Sequence, residues 1–286
     1  MAGSNLPDLK LPDLRFVPVE TLVPHEQHDE HRLQALVRRL REEAVLKNPP
    51  VVAPLAAEDP RETRYVVLDG ANRATAARAA GLPHMLVQVV PYLDPAVRLS
   101  TWFHALGDFP RAELELALRK VAGLECRPAP PMHARALLAR REALACVAYD
   151  GAAATLHGGT DIRERNALLN AVVDIYRHRG RFYRVASDSF EEARTRHPEV
   201  TALVVFPHFE PAEILELATS GARLPAGITR HLIRWRALRL NIPLDRLADT
   251  KCTLEQKNRW LEGWLREKLA QREVRFYEEP TVLFDE

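Results

Sequence analysis

The sequence has three cysteines, no long apolar run and almost no net charge, and each of these shortages excludes a class of protein. Cys126, Cys146 and Cys252 lie far apart and are odd in number, so they form neither a disulfide framework nor a zinc-binding spacing. No stretch approaches the roughly 18 consecutive apolar residues of a membrane-spanning helix. Residues 1–10 also lack the features of a signal peptide. We therefore expect a cytoplasmic protein with no membrane partner.

The balance of charge gives no sign of a nucleic-acid partner. The chain carries 40 basic and 39 acidic residues, for a formal net charge of +1. Nucleic-acid-binding domains usually show a strongly basic face or stripe. Apolar residues make up 47% of the chain and charged residues 28%, which is ordinary for a globular protein. The sequence does not indicate an oligomeric state.

A chain of 286 residues is longer than one core usually supports, so we expect two domains. The first contains strands over 51–53, 65–68 and 85–90, with an alanine-rich helix over 72–80 that Gly81 ends. The second mixes strands with helices over 161–178, 211–220 and 254–272. Helices are predicted over 99–106 and 113–124, and a hinge-like break over 127–131. The fold class is thus α/β (α+β), with domains over 12–106 and 107–286.

The strand that ends in Leu68-Asp69-Gly70 and leads into a helix is the strongest local signal for a binding site. Helix N-termini have unpaired N–H groups and partial positive charge, and therefore bind phosphate. Gly70 lets the backbone approach a ligand, Arg73 adds a cation and Thr75 a hydroxyl. Asp69 suits a Mg²⁺ ion, or the orientation of a hydroxyl or an arginine. The alternative is a plain tight turn in which Asp69 caps the helix.

A second cluster contains three histidines, His25, His28 and His31, with acidic neighbours. Their spacing does not converge on one helix face, which argues against a metal site. Glu26, in the loop before a helix with apolar positions at 33, 36, 37 and 40, is a candidate general base. Its alternative role is that of a capping or salt-bridging side chain.

A third cluster runs from Pro225 to His231 and is followed by Arg234, Arg236 and Arg239. Thr229, Arg230 and His231 suit a phosphoryl group, because cations and a hydroxyl neutralise developing charge. The alternative is a basic turn and a strand with solvated arginines. Trp102, beside Thr101, could line the pocket of a small polar substrate. The alternative is a buried tryptophan in the segment that connects the two halves of the chain.

Taken together, three segments resemble the ParB/sulfiredoxin fold, and within it most closely the free L-serine kinases. This group of kinases comprises an archaeal enzyme of cysteine biosynthesis and SbnI-type proteins of siderophore clusters. The segments are Pro24-His25-Glu26 with Arg32 and Leu36, Asn48-Pro49-Pro50-Val51-Val52, and Leu68-Asp69-Gly70-Ala71-Asn72-Arg73. The Pro225–His231 block, with 236–244, resembles the second domain of the same group.

The resemblance implies phosphoryl transfer from ATP or ADP, with Mg²⁺, to the hydroxyl of free L-serine. Glu26 would be the general base, and Asp69 would be a second catalytic residue and a Mg²⁺ ligand. The active site would lie in the cleft between the domains. Nucleotide phosphates would contact Gly70, Ala71, Asn72, Arg73, Thr75, Thr229, Arg230 and His231, and serine would contact Thr101, Trp102 and His231.

Other activities of this fold match the sequence less well. Sulfiredoxins have a catalytic cysteine where this chain has Ala71, so sulfinic-acid reduction is excluded. Chromosome-partitioning ParB proteins continue into a helix-turn-helix domain, and no such motif follows here. The alternative function is a ParB-like, nucleotide-binding transcriptional regulator that binds DNA and senses a ligand, without kinase turnover. The sequence does not distinguish ATP from ADP as donor, or serine from threonine as acceptor.

Overall fold

The computed structural model describes residues 11–27, 36–38, 42, 44–56, 59, 62–179 and 181–277. In its first part, the described residues include short strands and the alanine-rich helix that the sequence predicts. In chain order the elements are β1 (Asp13–Pro18), a 3-10 turn (Val19–Thr21), β2 (Leu22–Pro24), β3 (Val45–Leu46), β4 (Val51–Pro54), β5 (Tyr65–Asp69), α1 (Ala71–Ala79) and β6 (His84–Val89).

Five of these strands form a mixed sheet in the order β1-β6-β4-β5-β2. Strands β2 and β5 are parallel, with Pro24 opposite Val67. The carboxyl ends of parallel strands lie at the same edge of a sheet. The chain therefore leaves β2 just before Glu26, and leaves β5 at Asp69, on one edge. This topology brings two distant segments together.

The rest of the chain builds a second, antiparallel sheet in the order β12-β8-β13-β10-β11-β9, covered by helices. In chain order the elements are β7 (Val97–Thr101), β8 (Phe103–Gly107), α2 (Arg111–Arg119), β9 (Glu125–Ala129), α3 (Pro131–Ala139), β10 (Ala145–Ala148), β11 (Ala153–His157), α4 (Ile162–Tyr176), β12 (Arg181–Val185), α5 (Phe190–Arg196), β13 (Val200–Val205), α6 (Pro211–Ser220), β14 (Thr229–Ile233), β15 (Ile242–Pro243), α7 (Leu244–Ala248) and α8 (Leu254–Ala270).

The two sheets share one apolar core, in which Val51 and Leu68 of the first pack with Leu106 and Val204 of the second. The C-terminal segment returns to the first sheet. There β15 pairs with β3, and Asn258 of α8 bonds both the backbone N–H and the carbonyl of Phe16. The C-terminal segment therefore belongs with the first sheet, so the two sheets are not separated in sequence by one boundary at residue 106. Among the residues that the structure describes, no helix is long and apolar enough to span a membrane.

The mixed α/β architecture is confirmed, but two local predictions are wrong. Residues 99–106 form parts of β7 and β8 instead of a helix. Every residue of β8 is buried, so the two-residue alternation that marks a strand is lost there. Residues 127–129 continue β9 instead of forming a hinge. Because β9 is an edge strand, Pro128 removes no hydrogen bond that an interior strand would need.

The buried histidine of β8 makes stability depend on pH. His104 bonds Tyr176 Oη through Nδ1 at 2.7 Å and the Gly227 carbonyl through Nε2 at 3.3 Å. Burial, with a smaller effect of Arg184, lowers the pKa of His104 to about 3. The unfolded chain takes up this proton below about pH 6.5, whereas the folded protein does not, so stability present at pH 7 is lost on acidification.

We expect this single site to remove about 2 kcal/mol from the free energy of unfolding between pH 7 and pH 5. Urea unfolding at the two pH values measures that loss. A His104→Gln variant, which carries no titrating group there, should lose about 2 kcal/mol less over the same interval. An equal loss in both proteins would contradict a neutral, buried His104.

Candidate active site

A cavity of about 780 Å³ opens at the edge of the first sheet where β2 and β5 end. Its walls combine two carboxylates with several guanidinium groups and the start of α1. The polar side chains that line it are those of His25, Glu26, Gln27, Asp69, Asn72, Arg73, Arg184, Thr229, Arg230, His231 and Arg236.

The carboxylate of Glu26 is held by the segment that leads into β14. Its Oε2 accepts the Gly227 backbone N–H at 2.8 Å, and its Oε1 accepts both the N–H and the hydroxyl of Thr229 at 2.6 Å. The backbone is fixed as well, because Gln27 N–H donates to the Leu224 carbonyl at 2.8 Å. A carboxylate has about four acceptor positions. These three bonds therefore leave one acceptor position on Oε2.

His25 lies behind Glu26 and is 2% exposed. Its Nδ1 is 2.7 Å from the Val67 carbonyl oxygen, and its Nε2 is 2.8 Å from Thr229 Oγ1. Burial lowers the pKa of His25, although nearby Glu26 and the Val67 carbonyl oppose that effect. The neutral ring therefore links β2, β5 and β14 behind the cavity.

The turn between β5 and α1 has the backbone geometry of a phosphate site. Gly70 is the N-cap of α1 and has a φ of 87°, in the left-handed region that glycine tolerates best. The first intrahelical bond of α1 runs from Ala74 N–H to the Gly70 carbonyl at 3.0 Å. Earlier N–H groups of a helix have no carbonyl partner within it and, with the helix dipole, favour an anion.

Asp69 orients two arginines and does not cap the helix, since α1 has no side-chain N-cap bond. Its Oδ2 accepts Nη2 of Arg73 at 2.9 Å and Nη2 of Arg236 at 2.5 Å. Burial alone would raise the pKa of Asp69, but Arg236 and Arg73 hold it below its ordinary value. The turn therefore carries an ionised carboxylate between two cations.

Gln88 of β6 binds the loop after β14 that carries Arg236. The Gln88 side chain is 2% exposed. The Gln88 amide donates to the Trp235 carbonyl at 3.0 Å and accepts the Ala237 N–H at 2.9 Å. Trp235 has a φ of 57°, which is uncommon outside glycine. Gln88 thus fixes both neighbours of Arg236 and sets where its guanidinium reaches Asp69.

No family model matches the chain, but known proteins are similar to it over most of its length. An ATP-dependent L-serine kinase of Staphylothermus marinus is 24% identical over 81% of this chain and 90% of its own length. An ADP-dependent L-serine kinase of Thermococcus kodakarensis is 22% identical over 85% of this chain and 96% of its own length.

Solved structures match over most of the molecule. A free serine kinase in complex with AMP superposes with a TM-score of 0.71 at 20% identity, over 83% of this chain and 95% of that one. SbnI with a C-terminal truncation, from Staphylococcus aureus, has a TM-score of 0.66 at 22% identity, over 91% and 97%. The chain is related to the free serine kinases and has their fold. The resemblance found in the sequence is confirmed.

The free serine kinase fold brings most of the predicted site residues to one cavity. Segments more than 200 positions apart meet there, as the bond between Glu26 and Thr229 shows. The predicted residues that line it are Glu26, Asp69, Gly70, Ala71, Asn72, Arg73, Trp102, Thr229, Arg230 and His231. Arg184 and Arg236 line it too. Arg184 was not predicted, and Arg236 was named only as an arginine that follows the third cluster.

Two predicted site residues do not line this cavity. The Thr75 hydroxyl donates to the Ala71 carbonyl at 2.9 Å within α1. Thr101 is 1% exposed, and its hydroxyl lies 3.1 Å from His208 Nδ1 and 3.3 Å from the Pro207 carbonyl. Thr101 thus supports the wall from behind, whereas Trp102 faces the cavity, with the Arg230 guanidinium 4.4 Å from its ring centroid.

The remaining predictions concern the histidine cluster and the helix that follows it. His28 and His31 lie outside the described residues. Within the described part of the chain, no group of three or more His, Cys, Asp or Glu side chains could hold a metal. Residues 36–38 are helical, and Leu36 lines the cavity. The rest of the predicted helix lies largely outside the described residues.

Proposed function

We propose that this protein transfers the terminal phosphoryl group of ATP or ADP to the hydroxyl of free L-serine, giving O-phospho-L-serine. The relatives that span most of the chain are named L-serine kinases, one ATP-dependent and one ADP-dependent. The observation that carries the proposal is the placement of Glu26 and the N-terminus of α1 on one cavity. Phosphoryl transfer depends mainly on positioning and charge neutralisation, and this cavity supplies both.

The nucleotide phosphates would lie against the start of α1, where Gly70 permits close approach. Arg73 has a second task, because its Nη1 donates to the Asn48 carbonyl at 2.6 Å. Arg236 reaches the same turn from the loop after β14, and Asp69 aligns both guanidiniums. The backbone amides and these two arginines would together neutralise phosphate charge.

The described contacts of Asp69 favour this orienting role over a role as Mg²⁺ ligand. Its Oδ2 already accepts from two cations, and a bound Mg²⁺ would have to compete with them. Mg²⁺ often keeps several waters and binds through substrate phosphates with one or two carboxylates. We propose that any Mg²⁺ arrives with the nucleotide and is held mainly by phosphate oxygens.

The acceptor hydroxyl would donate its hydrogen bond to the remaining acceptor position on Glu26 Oε2. There Glu26 would take the hydroxyl proton as the oxygen attacks phosphorus. The serine carboxylate needs a cation, and Arg184 and Arg230 both line the same cavity. Trp102, under Arg230, would limit the length of the side chain that fits.

The regulator hypothesis is not favoured, because the relatives are named as kinases. The near-zero net charge gives no support to binding of nucleic acid or of an anionic membrane. We propose the cytoplasm as the location, since the three cysteines are free thiols, which suits a reducing compartment.

Phosphorus NMR of the purified protein with Mg²⁺ and either ATP or ADP tests the proposal across a panel of acceptors. We expect O-phospho-L-serine with at least one donor. L-Threonine should react more slowly, by about 10–200-fold, because one methyl group separates the two acceptors. Failure of both donors to yield phosphoserine would overturn the proposed function.

A further inference from the structure

A continuous chain of short polar contacts lies behind the carboxylate of Glu26. His25 Nδ1 is 2.7 Å from the Val67 carbonyl oxygen, and His25 Nε2 is 2.8 Å from Thr229 Oγ1. The same hydroxyl oxygen is 2.6 Å from Glu26 Oε1. His25 is 2% and Thr229 9% exposed, so bulk water does not replace these partners.

The number of hydrogens in this chain is limited. A carbonyl oxygen only accepts, so the hydrogen between His25 and Val67 belongs to Nδ1. A neutral imidazole has one N–H, and burial keeps His25 neutral by lowering its pKa. His25 Nε2 is therefore an acceptor. The Thr229 hydroxyl has a single hydrogen and faces two acceptors, His25 Nε2 and Glu26 Oε1.

How strongly the two acceptors compete for the Thr229 hydrogen depends on the protonation state of Glu26. While Glu26 is ionised, its Oε1 competes with the imidazole for the Thr229 hydrogen. Once Glu26 is protonated, its need for that hydrogen falls and the hydroxyl can turn wholly to Nε2. Among the described residues, the backbone N–H groups of Gly227 and Thr229 donate only to Glu26. Those two bonds favour the ionised form throughout.

We propose that His25 is a positioning residue for phosphoryl transfer, which competes for the Thr229 hydrogen and thereby increases the proton affinity of Glu26. The inference rests on the proposed function, in which Glu26 is the base. His25 Nε2 takes part of the hydrogen bond that the Thr229 hydroxyl would otherwise give wholly to Glu26 Oε1.

Several other charged or titratable groups face the same cavity, and a pH-dependence test must hold them constant. From β5, α1 and β12 they are Asp69, Arg73 and Arg184, and from β14 and its following loop Arg230, His231 and Arg236. The His231 ring meets His25 edge-on, with centroids 5.3 Å apart. All six stay in place when only His25 or Thr229 is replaced.

Two variants should shift the titration of Glu26 in opposite directions. His25→Asn keeps an N–H near the Val67 carbonyl but removes the Nε2 acceptor, so Thr229 donates only to Glu26. Thr229→Val keeps the shape and removes the hydroxyl. We expect the acid limb of the kcat/KM profile to move down by about one pH unit in the first and up by about one in the second. His25→Gln, whose side-chain oxygen reaches the Nε2 position, should return the limb towards the wild-type value.

The same titration can be followed without turnover, by carbon NMR of the side-chain carboxyl in protein labelled with carbon-13 glutamate. Glu26→Gln assigns the signal. Opposite shifts support the proposal, whereas unchanged limbs or shifts in the same direction overturn it. If His25→Asn does not fold, the Thr229→Val variant still tests the proposal. A Glu26 titration midpoint in that variant at or below the wild-type pH overturns the proposal. If the wild-type protein makes no phosphoserine, the proposed function fails and the carbon titration still decides this inference.

Discussion

Glu26→Gln should lower kcat for serine phosphorylation by about 10²–10⁴-fold, the usual contribution of a positioned general base. Glutamine has nearly the same shape as glutamate but cannot accept the hydroxyl proton. Nucleotide binding should change little, because the described hydrogen bonds of the Glu26 carboxylate go to Gly227 and Thr229 and none goes to the start of α1. Kinetics and nucleotide titration of the same protein measure the two effects separately.

The amide of this variant also has a structural cost. Its oxygen can accept the two donors of Thr229, but its NH₂ then faces the Gly227 N–H, which now donates to Glu26 Oε2. We expect a loss of about 1–3 kcal/mol in stability from that unpaired donor. Glu262→Gln, on the exposed side of α8, is the matched control and should keep wild-type kcat. Unchanged kcat in Glu26→Gln would mean that Glu26 is not the base.

Gly70→Ala should weaken nucleotide binding by about tenfold or more, through the loss of more than 1 kcal/mol of phosphate contact. An added Cβ at Gly70 would lie 3.1 Å from Arg73 Nε and Nη2 and 3.1 Å from the Pro50 Cα. The guanidinium or the backbone must move to make room. Isothermal titration with ADP measures the change in Kd.

Gly81→Ala, at the other end of the same helix, is the control for backbone strain. Gly81 also has a left-handed φ, of 71°, but a Cβ there would meet nothing within 4 Å. Both variants should lose roughly 1–2 kcal/mol of stability from the positive φ. Only Gly70→Ala should lose nucleotide affinity. Equal affinities in the two variants would contradict a phosphate site at this turn.

The parts of the structure that the sequence predicts are those set by local chemistry. The β5–Gly70–α1 turn is one example, because a strand, an Asp-Gly pair and an alanine-rich helix follow one another directly. Glu26 was named by its place in a motif. In contrast, residues 99–106 have no exposed face to show a strand period, and the helix prediction failed there.

Arg73 and Arg236 were both named from the sequence, but their meeting at Asp69 could not be predicted, because the contacts that support it are distant and polar. Gln88 lies in an apolar run and holds Ala237, 149 positions away. The Asn48 side chain accepts the Arg239 N–H at 2.9 Å across 191 positions. The available signal was Gln88 itself, a polar residue inside the strand predicted over 85–90, because a buried polar group requires a hydrogen-bond partner. Its partner can be identified only in the folded chain.

The proposed function places the phosphorylation of free serine in the Glu26 cavity. Carbon NMR of serine labelled with carbon-13 at Cβ, incubated with protein, Mg²⁺ and ATP or ADP, tests it directly. We expect a shifted Cβ signal split by phosphorus with the wild-type protein, and no such signal within the same incubation time with Glu26→Gln. An unsplit Cβ signal with the folded, nucleotide-binding wild-type protein would contradict it.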